Sequence, residues 1–140
     1  DSVQYLYHDP CHSPMKTAEP TSVAAKLLGQ KVTLSDRCCG EAGTFAVSRP
    51  DIATQVRFRK QEVLVSGIKQ LTGKDRVENN NVKILTSCPA CQQGLARYTE
   101  ETGLQTDYIV VEMASRLWGK DWNKKFIDKV GKGGIEKVLL

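Results

Sequence analysis

VKILTSCPACQQGL, residues 82–95, places a strand, a helix start and a pair of thiols in one run. Val82 to Thr86 is rich in β-formers and reads as a strand. Ser87 or Cys88 then takes the cap position of a helix. Pro89 falls in its first turn, where a missing N–H leaves no bond unmade, and Gly103 stops it. A strand that feeds directly into a helix is half of a parallel crossover unit, so the neighbouring segments decide whether the pattern repeats.

It does repeat. Val3 to Tyr7 reads as a strand that runs into the turn-rich HDPCHSP segment, and Pro20 opens a helix over Thr21–Leu28 that Gly29 ends. Lys31 to Leu34 is a second strand. A short helical or looped stretch, 42–47, leads to Ser48-Arg49-Pro50-Asp51, a capping box with an early proline. This opens a long helix to about Leu71, with Ile52, Val56, Val63 and Leu64 near one face. Residues 73–81 are polar and read as a mobile loop. Tyr108 to Val111 reads as a fourth strand, followed by helices near 112–117 and 121–130. The alternation predicts an α/β fold: a small, mostly parallel four-stranded sheet flanked by helices.

Ligands of such sheets sit beyond the carboxyl ends of the strands. The cysteines fall there. Cys11 follows the first strand, Cys38 and Cys39 the second, and Cys88 and Cys91 the third. Five is an odd number, so disulfides alone cannot pair them all, and a chain of 140 residues can build a core without such staples. Thiols used as ligands or redox groups in a reducing compartment are the better reading. Cys88 and Cys91, three apart at a helix start, suit either metal ligation or thiol–disulfide exchange. Exchange needs only that pair and leaves Cys11, Cys38 and Cys39 without a role. Adjacent cysteines form only a strained ring with each other but can ligate two metals. Gly40 permits a left-handed backbone after them, and Gly43 permits close approach to a bound group. Five thiolates exceed the four positions of tetrahedral zinc and of a simple cubane. His8 and His12 flank Cys11, and a loop hydrogen-bonding role is expected for each. Asp9 is read as the organiser of the turn before Pro10, and Glu41 as a solvated residue.

Composition narrows the class. The net charge of +4 is modest, aromatics are only 6%, and no basic–aromatic interleaving suggests nucleic-acid binding. Arg57, Arg59 and Lys60 read as a solvated helix face. No run is long and apolar enough for a transmembrane segment or a secretory signal. No Gly-x-Gly-x-x-Gly follows a strand, so no dinucleotide site is expected.

One cysteine, then Cys38-Cys39-Gly40, then Cys88-Pro89-Ala90-Cys91 is an order that resembles the cysteine-rich CCG domain. That domain occurs in heterodisulfide reductase and in the iron–sulfur subunits of glycolate and lactate oxidases. HDPCH, CCGEAGTFA, RPDIA and TSCPACQQGL look most like the C-terminal CCG domains of FAD-linked, D-lactate-dehydrogenase-like iron–sulfur oxidoreductases. The likeness covers about residues 3–115. The gap of 48 residues between Cys39 and Cys88 is longer than the family's, and the 73–81 loop is expected to absorb the difference. The resemblance implies that Cys11, Cys38, Cys39, Cys88 and Cys91 hold an iron–sulfur cluster of [4Fe–4S] type, non-cubane in some relatives, with Gly40 and Gly43 shaping its pocket. Zinc is the alternative cofactor. It further implies one domain over 1–140, excised from the C-terminal part of a longer oxidoreductase. FAD would lie on an upstream domain or a flavin dehydrogenase partner, and other iron–sulfur domains would be neighbours. The parent would act on 2-hydroxy acids or disulfides in the cytoplasm, with any contact to the inner face of the membrane made through partners. Two alternatives are a structural zinc-binding or docking domain and a thiol–disulfide exchange protein using Cys88 and Cys91. No catalytic residue is assigned, and the domain alone is expected to be inactive.

Overall fold

The structure is a computed structural model that describes residues 3–41 and 44–133. It divides into two compact units, Asp1–Ile109 and Val110–Leu140. The first holds the sheet. Strands β1 (Gln4–His8), β2 (Val32–Leu34), β3 (Val82–Thr86) and β4 (Gln105–Tyr108) are all parallel, in the order β2-β1-β3-β4. The chain steps from β1 to one neighbour, then crosses back to the other side with β3. The loops after β1 and β3 therefore diverge at a topological switch point, where such sheets open a crevice.

Helix α1 (Pro20–Leu28) begins and ends as its residues require. Glu19 accepts from the N–H groups of Thr21 and Ser22 at 3.1 and 2.6 Å, and Gly29 ends the helix in a left-handed conformation, φ 68°. A short helix, α2 (Phe45–Ser48), precedes the long α3 (Pro50–Thr72). Ser48 does not cap α3. Arg49 holds that position without a side-chain cap, and its guanidinium pairs instead with Asp51 at 2.9 Å. The buried face of α3 is Ala53, Lys60, Leu64 and Ile68, while Ile52 is exposed. The stripe is thus rotated from the expected one and includes a lysine. Gly67 lets α3 close on the sheet, since a Cβ there would lie 3.2 Å from Leu6. Leu6, Leu64, Ile68, Ile84, Leu95 and Leu104 form the centre of the core.

Three expectations are corrected. The helix after β3 breaks into α4 (Pro89–Ala96) and α5 (Thr99–Thr102), with Gly103 at its end as expected, φ 73°. The fourth strand is Gln105–Tyr108, and Ile109 to Val111 begin helix α6 (Ile109–Trp118). Thr86↔Tyr108 is the last rung that β3 offers, so beyond it the β-branched run has no ladder to join. Residues 73–81 are not a free loop. Val77 is buried in the core, its N–H donates to the Thr102 carbonyl at 2.8 Å, and Arg76 donates to the carbonyls of Glu100 and Glu101. One apolar residue inside a polar segment is enough to pin it.

In the second unit α6 is followed by α7 (Trp122–Gly131). Gly119 turns between them at φ 88°, and Trp122 Nε1 donates to Ser115 Oγ at 3.2 Å. Among the described residues no helix is long and apolar enough to cross a membrane.

Candidate metal centre

All five cysteines are free thiols, placed after the carboxyl ends of three strands. Cys11 sits in the loop after β1. There Asp9 accepts from Ser13 Oγ at 2.7 Å, and Ser13 Oγ accepts from the Met15 N–H at 3.1 Å, so Asp9 organises the turn as expected. Cys38 and Cys39 follow β2. Gly40 takes the left-handed conformation foreseen for it, φ 75°, and its N–H donates to Cys38 Sγ at 3.3 Å. A Cβ on Gly40 would meet Val56 Cγ1 at 3.3 Å, so the chain reverses close against α3. Gly43 lies outside the described residues. Cys88 holds the cap position of α4 without a side-chain cap bond, which leaves its sulfur uncommitted to the helix. Cys91 is buried one turn on.

The sulfurs interact across these loops. Cys39 and Cys91 share an S–H···S hydrogen bond of 3.3 Å, buried at both ends. Sharing one proton eases the first ionisation and opposes the second, so the Cys39 thiol is pushed down and Cys91 up. Cys88 adds to the upward push on Cys91. The Cys11 thiol is raised chiefly by the neighbouring charge of Cys38, with burial and Cys39 contributing. Cys11 and Cys38 are exposed, and beside them opens a cavity of about 330 Å³ walled by Asp9, Pro20, Leu34 and Ser35.

The two histidines separate. His12 is exposed. His8 ends β1, is 2% exposed, and neither ring nitrogen has a hydrogen-bond partner among the described residues. Its ligand atom lies with the Cys39 and Cys91 sulfurs in a group spanning no more than 4.8 Å. The expected loop hydrogen-bonding role is therefore not what His8 does. A buried imidazole beside two buried thiols needs something to accept its N–H or take its lone pair, and it contributes to the lowering of the Cys39 thiol. Five soft sulfurs and one borderline nitrogen are donors suited to a thiophilic metal centre.

Three further residues escaped the sequence reading. Glu41 is no solvated carboxylate. Its side chain is 12% exposed, pairs with Arg97 at 2.7 Å and Arg57 at 3.7 Å, and lies over Gly94. A Cβ on Gly94 would come 2.2 Å from Glu41 Cγ. The glycine in CQQGL thus makes room for the glutamate in CCGE, and the loop carrying Cys39 is latched onto the helix carrying Cys91. Lys60, read as part of a solvated face, is fully buried. Its Nζ donates to the Ser35 carbonyl at 3.1 Å, Ser35 Oγ at 3.0 Å and the Asp36 carbonyl at 2.5 Å. Burial pushes its pKa down to about 8, against the opposing influence of Cys39. Charge patterning along α3 gave no sign of this. A lysine at i−4 from a buried leucine was the available signal.

A parallel α/β unit with a cysteine rim at its switch point defines the class of protein. The model of the cysteine-rich domain (CCG) matches residues 5–96, and the chain belongs to that family. A domain of unknown function (DUF3400) matches residues 96–140. Among curated proteins, the chain is 28% identical to an uncharacterized iron–sulfur protein of Methanococcus maripaludis, over 82% of this chain and 23% of that one. It is 32% identical to the glycolate oxidase iron–sulfur subunit of Escherichia coli K12, over 64% of this chain and 20% of that subunit. The chain therefore spans a quarter or less of the curated relatives it matches. No solved structure matches it at a significant level.

Proposed function

We propose that the chain is an iron–sulfur electron-relay module of a flavin-linked oxidoreductase acting on 2-hydroxy acids. Cys11, Cys38, Cys39, Cys88 and Cys91 hold the cluster in this reading. The observation that carries it is that five free thiols stand after the carboxyl ends of three parallel strands, with Cys39 and Cys91 hydrogen-bonded at 3.3 Å, Cys88 acting on Cys91, and Cys38 and Cys39 acting on Cys11. Both curated relatives are named as iron–sulfur proteins, one of them a subunit of glycolate oxidase, which supports the same reading. The resemblance to the CCG domain implies a [4Fe–4S]-type centre, and five donors leave room for a non-cubane form. When bound, such a centre stores and passes single electrons. The protein's own part is to present the thiolates, seal one side and leave the other open. Cys39, Cys91 and His8 form the sealed side, and Cys11 and Cys38 the open one. FAD belongs to a partner or upstream domain, since hydride acceptance needs a cofactor of that kind. A cytoplasmic setting accords with five reduced thiols.

Anaerobic reconstitution with iron and sulfide tests this. About four iron and four sulfide per chain are expected, with a visible absorbance that dithionite bleaches. Zinc is the second reading, favoured by the compactness of His8, Cys39 and Cys91. A colourless product that retains one zinc and refuses iron would select it. The reconstituted domain should not oxidise lactate or glycolate until a flavin dehydrogenase is added. Substrate-driven dye reduction by the domain alone would overturn the relay reading.

A further inference from the structure

Lysine is almost never fully buried without an acidic partner. Lys60 is 0% exposed, and among the described residues no carboxylate forms an ion pair with it. Its three N–H donors are matched by three oxygens, the Ser35 carbonyl and hydroxyl and the Asp36 carbonyl. Hydrogen bonding is thereby satisfied, yet the net charge is not balanced by those neutral acceptors. Two sources of negative charge act on it, the Asp36 carboxylate and the thiol rim. Cys39, Cys91 and Cys38 all act on Lys60, with Cys39 the strongest of them and stronger than Asp36. The acceptors also matter for where they lie. Ser35 and Asp36 are the first two of the three residues between β2 and the Cys38-Cys39 pair. Ser35 is itself buried, with its N–H donating to the Tyr7 carbonyl at 2.8 Å. One side chain from α3 thus ties down the start of the loop that presents two thiols.

We propose that Lys60 is a positioning residue with two linked tasks: it straps the 35–39 loop to α3, and it is the fixed counter-cation of the cysteine centre. This rests on the iron–sulfur reading above. A strap alone requires only hydrogen bonds, whereas a counter-cation requires the charge. Lys60→Gln keeps a donor and removes the charge, and Lys60→Arg keeps both. A positive charge close to a cluster favours the reduced form, because reduction adds an electron.

The test is a redox titration, by visible absorbance, of wild type, K60Q and K60R reconstituted anaerobically with iron and sulfide. The expected result is iron content within about twofold of wild type in both variants, a more negative reduction potential in K60Q, and a potential close to wild type in K60R. An unchanged potential in iron-loaded K60Q overturns the counter-cation role. Should K60Q fold, by circular dichroism, yet hold no iron while K60R holds it, the need for the charge is supported. If both variants fold and neither holds iron, or if both lose the fold, Lys60 is a shape-specific core residue and the proposal falls. Failure of wild type to take up iron would instead sink the iron–sulfur reading, so the two failures are distinguishable.

Discussion

The two ends of the thiol rim are built on opposite terms. Cys39 and Cys91, 4% and 5% exposed, are held by elements of the core, with the His8 ring beside them and the Glu41 latch behind. Cys11 and Cys38 sit in exposed loops beside an open cavity. Ionisation does not follow access, since the sealed pair itself splits, with Cys91 pushed up. The sealed Cys39 is the thiol pushed down, and the open Cys11 is one pushed up. Residues identical in type are thus divided into an anchor and a mouth, and the difference comes from packing. In the iron–sulfur reading proposed above, the centre has its position set at the sealed end and its contacts with other molecules at the open end.

That division predicts a ranking of variants. The largest effect belongs to Cys39→Ser. A hard hydroxyl replaces a buried soft donor, and iron retained after anaerobic reconstitution should fall by about tenfold or more. Cys11→Ser should lose less, because its loop can adjust. Equal losses measured by iron and sulfide analysis would erase the distinction between the two ends.

Next comes the latch. Gly94→Ala should displace Glu41 and destabilise the fold by about 1–3 kcal/mol, as overpacking does. In a Glu41→Ala background the same change should be close to neutral. Denaturant unfolding of the two single variants and the double variant measures this coupling. Strict additivity would mean that the loop and the helix are not tied through this contact.

A smaller, kinetic difference separates the thiols themselves. In metal-free reduced protein, iodoacetamide should label Cys11 and Cys38 before Cys39 and Cys91, as read by peptide mass spectrometry. Cys11 reacts only as thiolate, and its raised pKa keeps it protonated at neutral pH, so its labelling should keep accelerating as pH rises through and beyond 9. Cys39 should stay protected although its own pKa is lowered, because no reagent reaches it. Early labelling of Cys39 would break the sealed half. The smallest effect is expected at His12. His12→Ala should leave iron content within about 20% of wild type, in contrast to the buried His8. A loss comparable with that of Cys39→Ser would place His12 among the ligands.

Much of the fold was legible because its signals are local. The β-former runs of β1, β2 and β3, Pro20 and Gly29 around α1, and Gly103 after α5 each report the backbone conformation of their own neighbourhood. The alternation of strand and helix then orders the cysteines along one sheet edge. Reading failed where the deciding contact is distant in sequence. Tyr108 to Val111 has the composition of a strand, but the ladder of β3 runs out at Tyr108. Residues 73–81 have the composition of a free loop, but Val77 finds the core.

Spacing along the chain was enough to put five thiols after three strands, a left-handed turn after Cys39, and Cys88 and Cys91 at the start of one helix, Cys88 as its cap. Tertiary structure alone decided which thiols are sealed, that His8 rather than His12 faces them, that Gly94 exists to receive Glu41, and that Lys60 lies inward. Burial of a polar side chain depends on what the opposite element presents. For Lys60 that is a pair of carbonyls and a hydroxyl at 35–36, 24 and 25 residues away, a distance at which no local pattern carries information.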